Sequence, residues 1–459
     1  MMQDVVKAYK ASSEFQYALV ANDYFRSDNR EVMSKTVLKA RSYTVTDASG
    51  RTRTKAENEN VVGNRIASNF FYRFVTQENQ YMLGNGVTLD DDTTKKRLGP
   101  GFDTMLQTMG EKALIQGACW GFWNVDHLEI ISAAKDAMSG FVALMDERTG
   151  APRIGIEFWQ IDVKRPQYIR LFEEDGVTLY RLANEKMEAI EEKRAYRLTV
   201  ATDAAGQRVT GRENYGALPV VPLWANDERT STLTQAIKSK IDAYDRILSD
   251  YGDNLDRAND VYWVLNNFGG TTDDIAAMLE EINRLKVIAN ISDGTSSSTA
   301  EPVPFEVPYA ARQTALDLLR KALYQDAMAL DMDELTGGSL TNVAIQAATI
   351  NLNLKCDRFE WQVFRFVQGI LRLIGVETEN ISFTRQDVVN RSEIVADIAM
   401  MRGDIDQRTA LEMNPYIMPD RVDEILERAK QEAEAQATSG LLTMEQLEEY
   451  LRRNGGNED

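Results

Sequence analysis

Two stretches of helix-forming sequence, Ser231–Arg257 and Tyr309–Leu330, bracket a segment, residues 258–308, that carries strand, helix and turn signals. That layout constrains the fold more than any other feature of the chain. In the first stretch Leu233, Ile237, Ile241, Tyr244, Leu248, Tyr251 and Leu255 recur at spacings of three and four, which lines one helix face with apolar side chains. Leu316, Leu319, Leu323, Ala327 and Leu330 do the same in the second. Periodicity alone describes an antiparallel pair of core helices as well as it describes a projecting stem. The intervening segment lies near the lower size limit of an independent domain, so it calls for neighbours.

Within it, Asp260–Leu265 has strand character and Asn266–Gly270 is a turn. Thr271–Asp274 opens a helix over Ile275–Leu285, Val287–Ile291 reads as a second strand, and Asp293–Thr299 is a Ser/Gly-rich loop. Pro302, Pro304 and Pro308 then hold the chain extended. Ahead of the first helix, the prolines of Pro219–Asp227 forbid helix, and Thr230 or Ser231 is placed to cap the first long helix. Behind the second, Gly337 and Gly338 end the helix and supply hinge freedom. A long helix resumes near Thr341 and continues to Ile374, with Phe359, Val363, Phe366, Val367, Ile370 and Ile374 on one face. Ile381–Thr384 is a lone strand that must return to an earlier sheet.

Residues 1–40 read as helical, with a turn-rich interval at Asp47–Asn60. Val61–Leu83 places Phe70, Phe71, Phe74 and Tyr81 at helical spacing, the mark of a core helix, and Phe102–Gln116 is a further amphipathic helix after the break at Gly99–Gly101. Short β-type runs follow at Ala118–Trp123, Leu128–Ile131, Phe141–Met145, Ile154–Trp159, Lys164–Phe172, Val177–Arg181 and Ala195–Thr199. From Ser392 onward the chain is helical and acidic, and Asn454–Asp459 reads as a disordered tail. The fold class is α+β, mainly helical.

Catalytic apparatus is sparse. With His127 the single histidine, multi-histidine zinc sites are excluded, and its place in the apolar run Trp123–Ile131 suggests a core or strand residue. Gly206–Glu213 has the glycine spacing of a phosphate loop but Arg212 and Glu213 where lysine and a hydroxyl are needed. Gly84–Gly86 lacks the third glycine of a dinucleotide fingerprint and reads as a tight turn. Asp90, Asp91 and Asp92 are consecutive, so they diverge as a solvated loop instead of converging on a metal. No cofactor is implied. Cys119 and Cys356 exclude a disulfide framework and fit a reducing compartment. No apolar run approaches the ~18 residues of a membrane span, and the start Met1–Phe15 lacks the order of a secretory signal, so folding in the cytoplasm is expected. A net charge of −19 argues against a broad grip on nucleic acid, though it suits a surface that DNA slides past.

Five segments taken together, Tyr81–Val87, Pro219–Glu228, Lys240–Asp245 with Ser249, Ile381–Arg385 and Gly403–Glu412, closely resemble the portal proteins of tailed bacteriophages with long non-contractile tails. The resemblance covers Val61–Glu427 in order and spacing. It implies a homo-oligomeric ring, usually of twelve subunits, at one capsid vertex, through which double-stranded DNA enters and leaves. It further implies a wing over residues 1–228, a first stem helix over 229–257, a clip over 258–308 and a second stem helix over 309–331. A tunnel loop over 332–342, a long wing helix and return strand over 343–385, and a crown and tail over 386–459 complete the set. By the same resemblance the tunnel loop contains Asp333, Glu334, Leu335, Thr336, Gly337, Gly338, Ser339, Leu340 and Thr341. Many relatives carry a Ser-Gly pair early in the long helix, where this chain has Gly337–Val343. The clip, with Tyr262, Trp263, Asn266, Asn267, Phe268, Gly269, Gly270, Asp293 and Gly294, would dock the large terminase subunit and later the head-tail adaptor. Leu233, Ile237, Tyr244, Leu248, Leu316, Leu319 and Leu323 would pack the stem. Major capsid and scaffold proteins are further partners, with no membrane and no enzymatic activity, and the location is the virion. Another phage head or tail component and a metal-dependent DNA-processing enzyme are the alternative readings.

Overall fold

The computed structural model describes residues 2–35, 37–46, 52–61, 63–89, 92–183, 186–202, 208–257, 262–266, 299–303, 309–335, 342–377, 380–385, 391–401, 405–418, 421–438, 445–446 and 448–449. The chain divides into two compact units, Met1–Ala329 with Leu354–Gln386, and Leu330–Asn353 with Asp387–Asp459. Both helix and sheet are present, as composition and periodicity predict.

The first unit opens with α1 (Met2–Ala11), α2 (Ser13–Phe25) and α3 (Arg30–Met33). Ser12 caps α2 by accepting the Phe15 N–H at 3.2 Å. A hairpin of β1 (Val37–Thr46) and β2 (Thr52–Val61) follows, in register from Val37 opposite Val61 to Thr46 opposite Thr52. Local reading predicts helix to residue 40 and turns over Asp47–Asn60. The structure overrides it, because the two segments pair with each other along their whole length as an antiparallel ladder.

Next come α4 (Phe70–Leu83), β3 (Val87–Leu89), α5 (Asp92–Arg97) and α6 (Phe102–Gln116). Phe70, Phe71, Phe74 and Tyr81 are buried, as their spacing predicts. Gly86 turns the chain into β3 at φ +74. Gly117 ends α6 at φ +86, where a Cβ would meet the Arg229 carbonyl oxygen at 2.7 Å.

The sheet region comprises β4 (Ala118–Asn124), β5 (His127–Ser132), β6 (Ala134–Asp136), β7 (Ser139–Met145), β8 (Pro152–Trp159), β9 (Gln167–Glu173) and β10 (Gly176–Ala183). It continues with β11 (Lys186–Arg194), β12 (Arg197–Thr202), β13 (Arg208–Glu213) and β14 (Val220–Trp224). Strands β6 to β11 form an antiparallel meander in chain order, while β4 lies between β14 and β5 in a second sheet. One face of the meander buries Ile156, Phe158 and Ile169 against Val6, Phe15 and Ala18. The other buries Phe141 and Phe172 with Trp120, Phe122, Tyr196 and Val220. Burial on both faces explains why Phe141 and Phe172 are as large as Ile156, Phe158 and Ile169 on the opposite face. Of the glycine-spaced segment Gly206–Glu213, Arg208–Glu213 forms β13, paired with β12, and Gly206 lies outside the described residues. The proline segment is the edge strand β14, with Pro222 opposite Trp120, a position that spares the ladder a donor. His127 begins β5 but is exposed and paired to Asp126 Oδ1 at 2.8 Å, so it is a strand residue and not a core one.

The unit is completed by α7 (Gln235–Arg257), β15 (Tyr262–Asn266), β16 (Thr299–Val303) and α8 (Tyr309–Asp326). After α9 (Met332–Leu335) comes α10 (Asn342–Leu373), whose part from Leu354 onward belongs to the first unit, as does β17 (Ile381–Phe383). As expected, the lone strand β17 returns to an earlier element, pairing with β3. Phe359, Val363, Phe366, Val367 and Ile370 are buried, and Ile374 is half-buried just past the helix end. Gly369 lets α10 approach β14 so closely that a Cβ would meet Val221 Cγ1 at 2.8 Å.

Charge fixes the same helix. Lys355 Nζ lies 2.7 Å from Oε2 of Glu78 on α4, a side chain almost wholly buried. Burial pushes the Glu78 carboxyl up and Lys355 opposes that rise. Arg385, just past β17, reaches back to Asp357 and, at 2.6 Å, to Glu360.

In the second unit α9 and the start of α10 are joined by α11 (Arg391–Met400), α12 (Gln407–Glu412) and α13 (Val422–Thr438). Asp406 caps α12, accepting the Arg408 and Thr409 N–H groups at 3.0 and 3.2 Å. Helical content after Ser392 agrees with the sequence, while Asn454–Asp459 lies outside the described residues.

Candidate functional site

Helices α7 and α8 run antiparallel. Lys240 pairs with Asp326 at one end, and at the other the rings of Tyr251 and Tyr309 meet edge-on at 5.8 Å. Between them Arg312 Nη1 donates to the Asp250 carbonyl at 3.3 Å. Burial falls off along the pair: Leu233, Ile237, Ile241 and Leu323 are buried, Tyr244, Leu248, Leu316 and Leu319 are half-buried, and Leu255 is 44% exposed. Tyr244 and Tyr324 close the embedded end by packing edge-on against Phe70 at 5.0 Å and Phe74 at 5.3 Å respectively.

Both helices are shorter than their periodicity predicts. Neither Thr230 nor Ser231 caps α7; Thr234 Oγ1 does, accepting the Ile237 N–H at 3.3 Å. Thr232 is instead drawn away, its N–H and hydroxyl both donating to the Leu114 carbonyl. At the other end α8 stops at Asp326, since Met328 adopts a left-handed φ of 51, and Leu330 reaches its buried position outside the helix.

What apolar periodicity misses is the polar seam of α7. Asp245 and Ser249 are fully buried. Residues 63–69, outside any helix or sheet, lie along this seam, and alternate N–H groups donate to it: Ser68 to Asp245 Oδ1 at 2.9 Å, Ile66 to Ser249 Oγ at 3.0 Å and Asn64 to Asp253 Oδ1 at 2.6 Å. Two residues of extended chain advance about 6.6 Å and four residues of helix about 6 Å, so the two repeats stay in register over the three rungs. Asn29 Nδ2 donates to Asp245 Oδ2 and, at 3.1 Å, to the Ser68 carbonyl. Lys35 Nζ reaches Asp250 and Asp253 at 2.6 and 2.9 Å, and Tyr24 donates to Asp242. Burial raises the Asp245 carboxyl against the bonds from Ser68 and Asn29. Burial also opposes the charges of Lys35 and Asp253, yet each is held charged: Asp250 and Asp253 raise the lysine, and the Asn64 N–H and Lys35 lower the carboxyl. A polar residue every fourth position inside an apolar stripe, Asp245, Ser249 and Asp253, is the signal that could have found this clamp.

Asp245→Ala leaves the Ser68 N–H without its acceptor and the Asn29 amide with only the Ser68 carbonyl in a buried place, and is expected to lower stability by about 2–4 kcal/mol in denaturant titration. Asp245→Asn retains the Oδ1 acceptor and should lose less. Hydrogen exchange at Asn64, Ile66 and Ser68 should quicken in the alanine variant; unchanged exchange there would mean that the seam does not hold the segment.

Of the residues expected between the helices, Tyr262, Trp263 and Asn266 lie in β15, close to the predicted strand Asp260–Leu265. Its partner is β16, with Tyr262 opposite Val303 and Trp263 opposite Pro302, and a two-stranded ribbon tolerates the proline because both strands are edges. Asn267, Phe268, Gly269, Gly270, Asp293, Gly294, the predicted helix Ile275–Leu285 and the strand Val287–Ile291 lie outside the described residues. Asp333, Glu334 and Leu335, expected in a loop, belong to the short helix α9, where the Asp333 N–H is held by Asp331 Oδ1 at 3.2 Å. Thr336, Gly337, Gly338, Ser339, Leu340 and Thr341 lie outside the described residues.

Among the described residues no His/Cys/Asp/Glu group could hold a metal ion, and no helix is long and apolar enough to cross a membrane. Burial pushes both thiols, Cys119 and Cys356, up to about 12, which removes them as nucleophiles.

Residues 6–439 match the family described as phage portal protein, SPP1 Gp6-like. The chain is 25% identical over 395 residues to a portal protein of Clostridium phage phiCD119, an alignment covering 82% of this chain and 86% of that protein. It is 27% identical over 241 residues to the portal protein of Bacillus phage SPP1, covering 48% of this chain and 46% of the relative.

Proposed function

Because this chain belongs to the SPP1 Gp6-like family of phage portal proteins, we propose that its copies close into a ring at one capsid vertex and form the channel through which double-stranded DNA enters and leaves. In this reading α7 and α8 are the stem, residues 258–308 the clip at its outer end, and residues 332–342 the tunnel loop. The wing comprises residues 1–228 and 343–385, and the crown residues 386–459. The clip docks the large terminase subunit during packaging and the head-tail adaptor afterwards, and the wing and crown meet capsid and scaffold proteins. Assembly takes place in the host cytoplasm, and the product resides in the virion.

The observation that carries the stem assignment is the burial gradient along the apolar stripes of α7 and α8. A core hairpin would bury its stripe throughout, whereas the apolar stripes of this pair are fully buried only at Leu233, Ile237, Ile241 and Leu323, and Leu255 is exposed. The polar clamp on Asp245, Ser249 and Asp253 fits the same role, since directional bonds fix the angle and register of a projecting helix where apolar contact alone would let it slide. The half-buried stripe residues are then available to neighbouring subunits, through the heterologous contacts that generate closed rings. A chain at −19 suits a conduit, because like charge keeps DNA from being trapped on the wall. The family is structural, and the reading includes no reaction and no cofactor.

Electron microscopy of the purified chain tests the reading. Discrete rings with a central hole are expected; a compact monomer at every concentration would sink it.

A further inference from the structure

The outward face of α10 carries a second stripe. Leu354, Arg358, Trp361, Arg365, Gln368 and Arg372 recur at spacings of four and three, a narrow line on the side opposite buried Phe359, Val363, Phe366 and Ile370. Leu354 is 53% exposed and Trp361 63% exposed. A single exposed apolar residue is ordinary, but here a tryptophan and a leucine share one line with three arginines. Its ring is positioned, meeting Phe364 edge-on at 5.9 Å. Arg365 is tethered to exposed Asp227 at 3.5 Å, and Arg372 Nη2 donates to Gln368 Oε1 at 3.1 Å, contacts that keep two guanidinium groups on the line.

Tryptophan with arginines is the composition of interface hot spots. The stripe carries three positive charges and no negative one, in a chain whose net charge is −19. Its complement is therefore the prevailing surface of the chain itself. We propose that this outer face of α10, centred on Trp361 and flanked by Arg358 and Arg365, seats a second copy of the chain, as one half of the heterologous contact that repeats around the ring. The inference rests on the ring reading above and adds the surface that closes it. Double-stranded DNA is the competing occupant of a basic line, but Leu354 and Trp361 interrupt the arginines with apolar surface that a phosphate backbone does not cover.

The test uses the full-length chain with Trp361→Ser and, separately, Arg358→Glu, read by light scattering and electron microscopy across a concentration series. Both side chains are exposed, so thermal melting should match the wild type and rule out misfolding as the cause. Each variant should associate on the order of tenfold more weakly per contact, moving ring formation to correspondingly higher concentration. Variants that form rings at wild-type concentrations would overturn the inference while leaving the ring reading intact. Normal rings that release double-stranded DNA more readily would also overturn it, by assigning the stripe to DNA. A wild-type chain that never forms rings would defeat both readings together.

Discussion

Lys355→Met is expected to lower the stability of the first compact unit by about 3–5 kcal/mol, the cost of leaving one member of a buried ion pair uncompensated. At the usual ratio for domains of this size that is a fall in melting temperature on the order of 10 °C. The cause is specific: Glu78 is almost wholly buried, and Lys355 at 2.7 Å is what opposes the rise that burial imposes on its carboxyl. The pH dependence has a definite sign. A carboxyl raised in the folded state binds its proton more tightly there than in the unfolded chain. Its contribution is therefore most favourable below the ordinary carboxylate value and is lost as pH rises through the folded value. Without Lys355 the carboxyl rises further, so the deficit of the variant should be largest near neutral and alkaline pH and should narrow as pH falls toward 5. A deficit that does not change over that range would show that Glu78 is not its origin. The double variant Glu78→Gln with Lys355→Met should recover most of the loss, because a neutral pair leaves no charge to desolvate.

Deleting residues 262–305 is expected to abolish terminase and adaptor docking while sparing the wing. The two helices to be rejoined are near each other, since Tyr251 and Tyr309 are already in ring contact at 5.8 Å. The remaining residues 258–261 and 306–308 fall within the ~2–8 residues that commonly connect antiparallel helices. The embedded end of the pair, at Leu233, Ile237 and Leu323, and the rungs from Asp245 to Asp253 all lie outside the deletion, so the melting transition should persist. In a phage carrying the deletion, DNA packaging and tail joining should both fail. If both survived, residues 258–308 would not be the clip, and the projecting pair would need another purpose.

Elements with local signatures were legible in the chain. The Phe102–Gln116 helix has the predicted limits, the long helix departs from its prediction by a residue at each end, and the runs from Ala118 to Arg181 appear as strands. Periodicity of three and four, or of two, is written into neighbouring residues and needs no partner to be read. The hairpin Val37–Val61 was missed because each strand is polar by itself and gains its conformation from the other. The partner of Tyr262–Asn266 was not legible for a related reason: strand pairing across a long excursion is decided by closure of the ribbon and not by the composition of either segment. The helix limits at Thr234 and Asp326 moved because hydrogen bonds to Leu114 and a left-handed Met328 compete with continuing the helix.

At the candidate site the division is sharper. Sequence by itself determined that two amphipathic helices bracket an insert, that the chain is acidic, that it has one histidine and no phosphate loop, and that its ordered motifs resemble those of phage portals. Each of these depends on residue type and spacing along one segment. Tertiary structure alone decided that the apolar stripe of the first helix is buried at Leu233, Ile237 and Ile241 and exposed at Leu255, that Asp245, Ser249 and Asp253 take the N–H groups of Ser68, Ile66 and Asn64, and that Glu78 and Lys355 share one buried charge pair. The physical reason is that a helix repeat states which face is apolar, whereas the group that covers it, and the donor that answers a buried carboxylate, come from elsewhere in the chain and are chosen only when the chain folds back on itself.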